Sequence, residues 1–258
     1  MNVLLPNFWK RAGLVLVIAQ DVFSNEVLMV AFTNQAGYLE TLQTGFAVYF
    51  SRSRWKRWKK GEESGNVQIV RQVFLNCDGS AVVYKVEQRG EGACHTNARS
   101  CFYRDCLGNQ IMSAQKAGWK ENLLCSGKIL LPNFSKNFGV ADVVVQNAAT
   151  GKIIMAAATD KAGYHTAIET GLANYYYSAQ HERWFKENPA GHTQTIRQIL
   201  IDCDGDALVY KVDCDGSDCH NGSESSFFRT FTGQQVAEAP LCAENQFTAE
   251  TGVVDWLV

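Results

Sequence analysis

Asn76-Cys77-Asp78-Gly79-Ser80, running on to Tyr84-Lys85-Val86, returns 126 residues later as Asp202-Cys203-Asp204-Gly205-Asp206 and Tyr210-Lys211-Val212. Asp-Gly between two strand-like runs is a strong hairpin signal, so each copy predicts two paired strands with a cysteine on the turn. The same shift carries Leu5-Pro6-Asn7-Phe8 to Leu131-Pro132-Asn133-Phe134, Gln20 to Gln146, Thr44-Gly45 to Thr170-Gly171 and Trp58 to Trp184. Past the turn the second copy is one residue shorter. Cys94-His95 then maps onto Cys219-His220, and Phe102 and Arg104 map onto Phe227 and Arg229. A repeat of about 100 residues is a domain, too long for one unit of a solenoid.

The repeat predicts two tandem homologous domains of a β-rich α+β class, read as a fused, intramolecular pseudo-dimer. The expected boundaries are 1–106 for the first repeat, 107–128 for a linker, 129–233 for the second repeat and 234–258 for a C-terminal tail. Trp119 and Leu123-Leu124 mark part of the linker as a packing segment. Within the first copy, apolar runs predict strands at 14–20, 27–32, 67–75 and 81–87. One short helix is expected after Asn34, a good N-cap, with Leu39 and Leu42 on one face and Gly45 as its C-terminal stop; Asp160 and Gly171 repeat these signals. The pattern fits a barrel or an open sheet equally.

Composition limits the function. The 258 residues are 46% hydrophobic, yet the longest apolar runs (14–19, 143–145, 153–158) fall far short of the ~20 residues that span a bilayer, which predicts a soluble protein with no membrane partner. The opening residues carry no pattern of a secretory or import signal, so a cytoplasmic location is expected. A formal charge of −2 argues against a nucleic-acid partner. Nine cysteines in such a chain, several beside Asp or His, fit metal binding better than a disulfide framework.

The first copy offers Cys77 on its turn and then the segment Cys94-His95-Thr96-Asn97-Ala98-Arg99-Ser100-Cys101. Three thiolates with a fourth position open is the ligand set of a catalytic zinc, since structural sites are closed by four protein ligands. The second copy offers three carboxylates around one thiolate, at Asp202, Cys203, Asp204 and Asp206. Hard oxygens suit Mg²⁺ and soft sulfur suits Zn²⁺, so this turn can serve two metals. Buried free cysteines and an acidic surface turn are the plain readings of each feature taken singly.

These motifs, preceded by Ser51-Arg52-Ser53-Arg54, Trp58, Lys60-Gly61-Glu62 and Ser64-Gly65-Asn66, and followed by Ser100-Cys101-Phe102, resemble the phosphoribosyl-AMP cyclohydrolase family of histidine biosynthesis. The resemblance covers nearly all of the first copy and, more weakly, the second. The departures are complementary. The first turn keeps one of three carboxylates, as Asn76, Cys77, Asp78 and Ser80. The second copy has Ser226 in place of the last cysteine and Tyr177-Ser178-Ala179-Gln180 in place of Ser-Arg-Ser-Arg.

The family is similar in being dimeric with sites at the subunit interface. That implies one complete composite site, with zinc on Cys94, Cys101 and Cys203, magnesium on Asp202, Asp204 and Asp206, and a chain that acts as a monomeric pseudo-dimer. The opposite set, Asn76, Cys77, Asp78 and Ser80 with Cys219, His220 and Ser226, is then degraded. The implied reaction is hydrolytic opening of the adenine ring of phosphoribosyl-AMP at N1–C6, with His95 as proton relay or as an orienting group for a ligand. The nucleotide's phosphates would be met by Arg52 and Arg54, with Ser51, Ser53, Trp58, Glu62, Ser64 and Asn66 as further substrate ligands. Trp55 and Trp58 fit a core or a base-stacking role equally. Two other functions fit the same residues: a metal hydrolase acting on another purine-like nucleotide, and a zinc-binding regulatory module without turnover.

Overall fold

The computed structural model describes residues 3–111, 129–177, 180–186, 194–213 and 222–235. In chain order its strands are β1 (Leu14–Asp21), β2 (Val27–Asn34), β3 (Val48–Ser51), β4 (Lys56–Lys59), β5 (Gln68–Leu75), β6 (Ala81–Gln88), β7 (Arg104–Asp105), β8 (Val140–Asn147), β9 (Ile153–Asp160), β10 (Asn174–Tyr177), β11 (Glu182–Phe185), β12 (Thr195–Ile201), β13 (Ala207–Asp213) and β14 (Arg229–Thr230). Two α-helices, α1 (Gln35–Thr44) and α2 (Lys161–Thr170), and two short 3-10 helices, Phe8–Lys10 and Phe134–Asn137, complete the regular structure among the described residues. The chain is thus a β-rich α+β protein built of two similar halves, and no helix among the described residues is long and apolar enough to cross a membrane.

The chain folds into two compact units that do not follow the two sequence copies in a simple way. The first takes its described residues from 3–24, 30–93 and 227–235; the second takes them from 25–29 and 94–226. The first unit holds a five-stranded sheet in the order β14-β5-β6-β1-β2, and the second holds β7-β12-β13-β8-β9. Each order has two ends, so these are open sheets. In each, the hairpin strands run antiparallel and the next pair (β1 with β6, β8 with β13) runs parallel. All eight residues of β1 are buried, as befits a central strand covered on both faces.

The edge strands reveal the exchange. β7 comes from the end of the first copy but pairs with β12 of the second, Arg104 opposite Ile201 and Asp105 opposite Leu200. β14 comes from the end of the second copy and pairs with β5, Arg229 opposite Leu75 and Thr230 opposite Phe74. Segments of one copy therefore complete the sheet built on the other.

Both helices carry the caps expected from sequence. The Asn34 side chain accepts from Gly37 N at 2.9 Å and that of Asp160 from Gly163 N at 2.8 Å, while Gly45 and Gly171 close the helices in the left-handed region. The inward face of α1 differs from the expected one. It is Gly37, Tyr38 and Thr41, with Leu39 and Leu42 only half-buried. The helix lies too close to its neighbours for bulk: a Cβ on Gly37 would stand 2.6 Å from Thr33 Oγ1, and Thr41 Oγ1 accepts a hydrogen bond from Val48 N. The core adds the same buried tyrosines in each half, Tyr38, Tyr49 and Tyr84, then Tyr164, Tyr175 and Tyr210. Tyr49 donates to Gln68 and Tyr175 to Gln194, and Tyr38 and Tyr164 donate to the carbonyls of Leu4 and Leu130, so these four buried phenols are satisfied by repeated partners.

Candidate active site

The Leu-Pro-Asn-Phe motif, whose role the sequence leaves open, seats the cysteine-bearing turns. Asn7 N donates to Gly79 O at 2.7 Å in the first unit, and Asn133 N donates to Gly205 O at 2.6 Å in the second. Three residues on, Lys10 reaches Asp78 and Lys136 reaches Asp204. Each turn is thus held by a strap that brings a lysine to its central carboxylate.

In the second unit the turn begins at Asp202, whose N–H donates to Ala207 O and whose carboxyl accepts from Ala207 N. Next to it lies a loop from the first copy. Cys94 N donates to Ala98 O and Asn97 N to Cys94 O, a closure that puts Asn97 at φ 62, a conformation asparagine tolerates. Cys101 is fixed further along by its own N–H on Leu28 O and by Ser100 Oγ on Val27 O. The outcome is a cluster in which His95 Nδ1 lies 3.9 Å from Cys94 Sγ and 3.7 Å from Cys203 Sγ. Cys94, His95 and Cys203 are spaced as metal ligands are, and so are Asp202, Cys203 and Asp204. Asp206 adds its charge to the surroundings of Asp202 and Lys136, as the shifts at both record.

The electrostatics of this cluster are those of crowded anions. A hydrogen bond from Cys101 pulls the Cys94 thiol well below its ordinary value against the effect of burial, and the Thr96 hydroxyl, 3.1 Å from Cys94 Sγ, and Cys203 help. Cys101 is pushed up, first by its hydrogen bond to Cys203, then by Cys94 and by burial, so it stays the protonated donor between two sulfurs. Burial likewise pushes Asp202 up, with Asp204 and Asp206 adding to it. Burial opposes ionisation of Asp204 too, but there the hydrogen bond with Asp202 and the Lys136 ammonium win and lower it.

The corresponding turn of the first unit is closed on itself. Asn76 Nδ2 donates to Ser80 Oγ at 3.1 Å, Ser80 Oγ to Asp78 Oδ1 at 2.6 Å, and Lys10 Nζ to Asp78 Oδ2 at 2.6 Å. Burial works against the Asp78 charge, but Lys10 and Ser80 overcome it and hold the carboxyl down at about 2. Cys77 is half-buried here. Ser226, which stands where the other copy has Cys101, spends its hydroxyl on Ile154 O at 3.0 Å. Cys219 and His220 lie outside the described residues, as do Ser178 and Ala179.

The expected substrate ligands all lie in the first unit. Ser51 Oγ is 3.3 Å from Ser53 Oγ and accepts from Arg54 N, and the Arg52 guanidinium sits 4.1 Å over the Phe32 ring. Trp58 packs against Tyr49, with ring centres 5.1 Å apart, and Trp55 is 71% exposed. Glu62 faces Arg57 at 4.0 Å, and Ser64 Oγ accepts from Asn66 N. Asn66 is buried and its side-chain Oδ1 accepts from Glu91 N, an internal bond that braces the loop. Lys136 and Thr96 are the residues that sequence reasoning missed; the lysine could have been found, because it recurs three residues after the asparagine of both Leu-Pro-Asn-Phe motifs.

The phosphoribosyl-AMP cyclohydrolase family model matches the chain twice, over residues 29–103 and 155–228, together more than half its length. The chain belongs to this family. It is 51% identical over 98 residues to the phosphoribosyl-AMP cyclohydrolase of Desulforapulum autotrophicum, spanning 38% of this chain and 78% of the relative. To that of Methanothermobacter thermautotrophicus it is 53% identical over 120 residues, 45% of this chain and 86% of the relative. It is also 50% identical over 103 residues to the histidine biosynthesis bifunctional protein HisIE of Aquifex aeolicus, 40% of this chain and 50% of that one. Two matches to one family model describe a tandem cyclohydrolase-family protein, and the cysteine cluster lies at the end of the first match, joined by a turn from within the second.

Proposed function

We propose that the chain hydrolyses phosphoribosyl-AMP, opening its adenine ring between N1 and C6 in histidine biosynthesis, at one composite site drawn from both copies. The carrying observation is the approach of Cys203 to Cys94 and His95 inside one compact unit. The donors fit the metals read from sequence. Three interacting sulfurs beside an imidazole suit zinc, on Cys94, Cys101 and Cys203. Carboxyls crowded on one turn suit a hard dication, Mg²⁺ on Asp202, Asp204 and Asp206. Zinc in such a set supplies a water that ionises near neutral pH.

The chain's own residues supply the rest. Water adds to C6 and the N1–C6 bond breaks as the added oxygen becomes a carbonyl; of the water's two protons one ends on N1 and the other on the exocyclic nitrogen of C6. His95 reaches the cluster with one ring nitrogen, so the imidazole is placed to carry a proton to N1. Lys136 balances the carboxylate turn. Arg52 and Arg54 are assigned to the substrate's phosphates on the family resemblance. The test is turnover of phosphoribosyl-AMP with zinc and magnesium supplied. Wild type and Cys77→Ser should be active and Cys203→Ser inactive; equal activity in all three, or an inactive wild type that still binds zinc, would refute the reading.

A further inference from the structure

The two arms of the cysteine cluster arrive from segments more than 100 residues apart, and the backbone joint between them is short. β7 pairs with β12 through Arg104 and Asp105 alone. The next rung towards the turn would place Tyr103 opposite Asp202, but the strand has ended. At that rung the Arg104 side chain takes over, donating from Nη2 to Asp202 O. Arg104 stands three residues past Cys101, and Asp202 stands next to Cys203. Its guanidinium therefore ties the residue beside one sulfur to the segment that carries the other two.

We propose that Arg104 is a positioning residue for the cysteine cluster, setting the distance of Cys203 from Cys94 and Cys101 by gripping the carbonyl before Cys203. This inference rests on the metal reading given above. The duplication supplies the comparison needed to isolate it. Arg229 makes the same grip in the first unit, donating to Asn76 O and, at 2.9 Å, to Cys77 O. The turn it holds is closed by Asn76, Ser80, Asp78 and Lys10, so losing Arg229 costs the joint without touching the thiolate cluster.

The experiment titrates reduced, metal-free full-length protein with Cd²⁺, following the thiolate-to-metal absorption band, with Cys203→Ser giving the background from the other cysteines. Denaturant stability is measured on the same metal-free samples. Arg104→Met is expected to weaken cluster-dependent Cd²⁺ binding at least tenfold, the lower end of what removing a ligand-orienting group costs. Arg104→Lys, which can still reach the carbonyl with one donor, should fall between it and wild type. Arg229→Met should lose similar stability and keep wild-type Cd²⁺ affinity. Wild-type affinity in Arg104→Met overturns the proposal, as does an equal loss in Arg229→Met, which would make the effect one of general loosening. Should Arg104→Met fail to fold, wild-type affinity in Arg104→Lys overturns it as well. A wild type with no band above the Cys203→Ser background refutes the metal reading itself, and the inference falls with it.

Discussion

Cys203 Sγ lies 3.7 Å from His95 Nδ1 although the two residues are 108 positions apart in the chain. The contact exists because the end of the first copy packs into the unit built on the second. It follows that the two cysteine turns, alike in sequence, are unlike in demand. The Asp202 turn gathers carboxyls whose charges oppose one another beside the cluster's sulfurs, whereas the Asp78 turn is satisfied by Lys10, Ser80 and Asn76.

The expected metal content is therefore one thiolate-bound zinc per chain rather than two. Metal analysis after dialysis should give about one equivalent for wild type and for Cys77→Ser, and markedly less for Cys94→Ser and Cys203→Ser. Two tightly held equivalents in wild type, one of them lost in Cys77→Ser, would show that the first turn also binds.

The helix caps offer a paired test of stability and its pH dependence. Asn34→Ala and Asp160→Ala should each cost about 1 kcal/mol near neutral pH. Burial opposes the Asp160 charge, but hydrogen bonds from Arg183 and Gly163 N prevail and lower its pKa. A carboxyl lowered on folding contributes stability above its unfolded value, about 3.9, and loses it as pH falls through the folded one. Denaturant midpoints should thus show the Asp160→Ala penalty shrinking towards pH 3, while the Asn34→Ala penalty, from a neutral cap, stays level.

Gly79 and Gly205 are required by two constraints at once. Both have positive φ, 72° and 81°, and a Cβ would stand 3.0 Å from Asn7 N and 3.2 Å from Asn133 N. A left-handed residue with a Cβ costs about 1–2 kcal/mol before any displacement of the strap. Gly79→Ala and Gly205→Ala should both lower the unfolding free energy by at least that much. Gly205→Ala alone should also reduce zinc occupancy, because its strap sets the turn bearing Cys203. Equal occupancy in the two variants would mean that the strap does not position the sulfur.

Much of this was legible in the sequence because it is written in local signals. Asn34 and Gly45 mark the ends of α1, alternating and continuous apolar runs mark β1, β2, β5 and β6, and Asp78-Gly79 marks the hairpin. Three things were not. The inward face of α1 carries Gly37 and Thr41, since close packing there selects small and hydrogen-bonding residues over leucines. The two-residue strands β7 and β14 are too short to leave a pattern, so the exchange of segments was visible only as an inference from family resemblance. The β3–β4 hairpin lies in a run of charged residues, where alternation is masked by the exposed face of Lys56 and Arg57.

His95 admits two roles that one substitution separates. With Nδ1 near both Cys94 and Cys203, the imidazole can act as proton carrier or as a ligand in its own right. A carrier contributes to turnover and leaves the metal in place; loss of general acid–base catalysis typically costs 10²–10⁴ in rate. His95→Asn is accordingly expected to lower kcat by about that factor while KM and zinc content stay near wild type. Small weak bases such as imidazole, added at high concentration, should restore part of the rate if the missing function is proton transfer. Zinc content falling in step with activity, without rescue by imidazole, would identify His95 as a ligand and move the proton to another group.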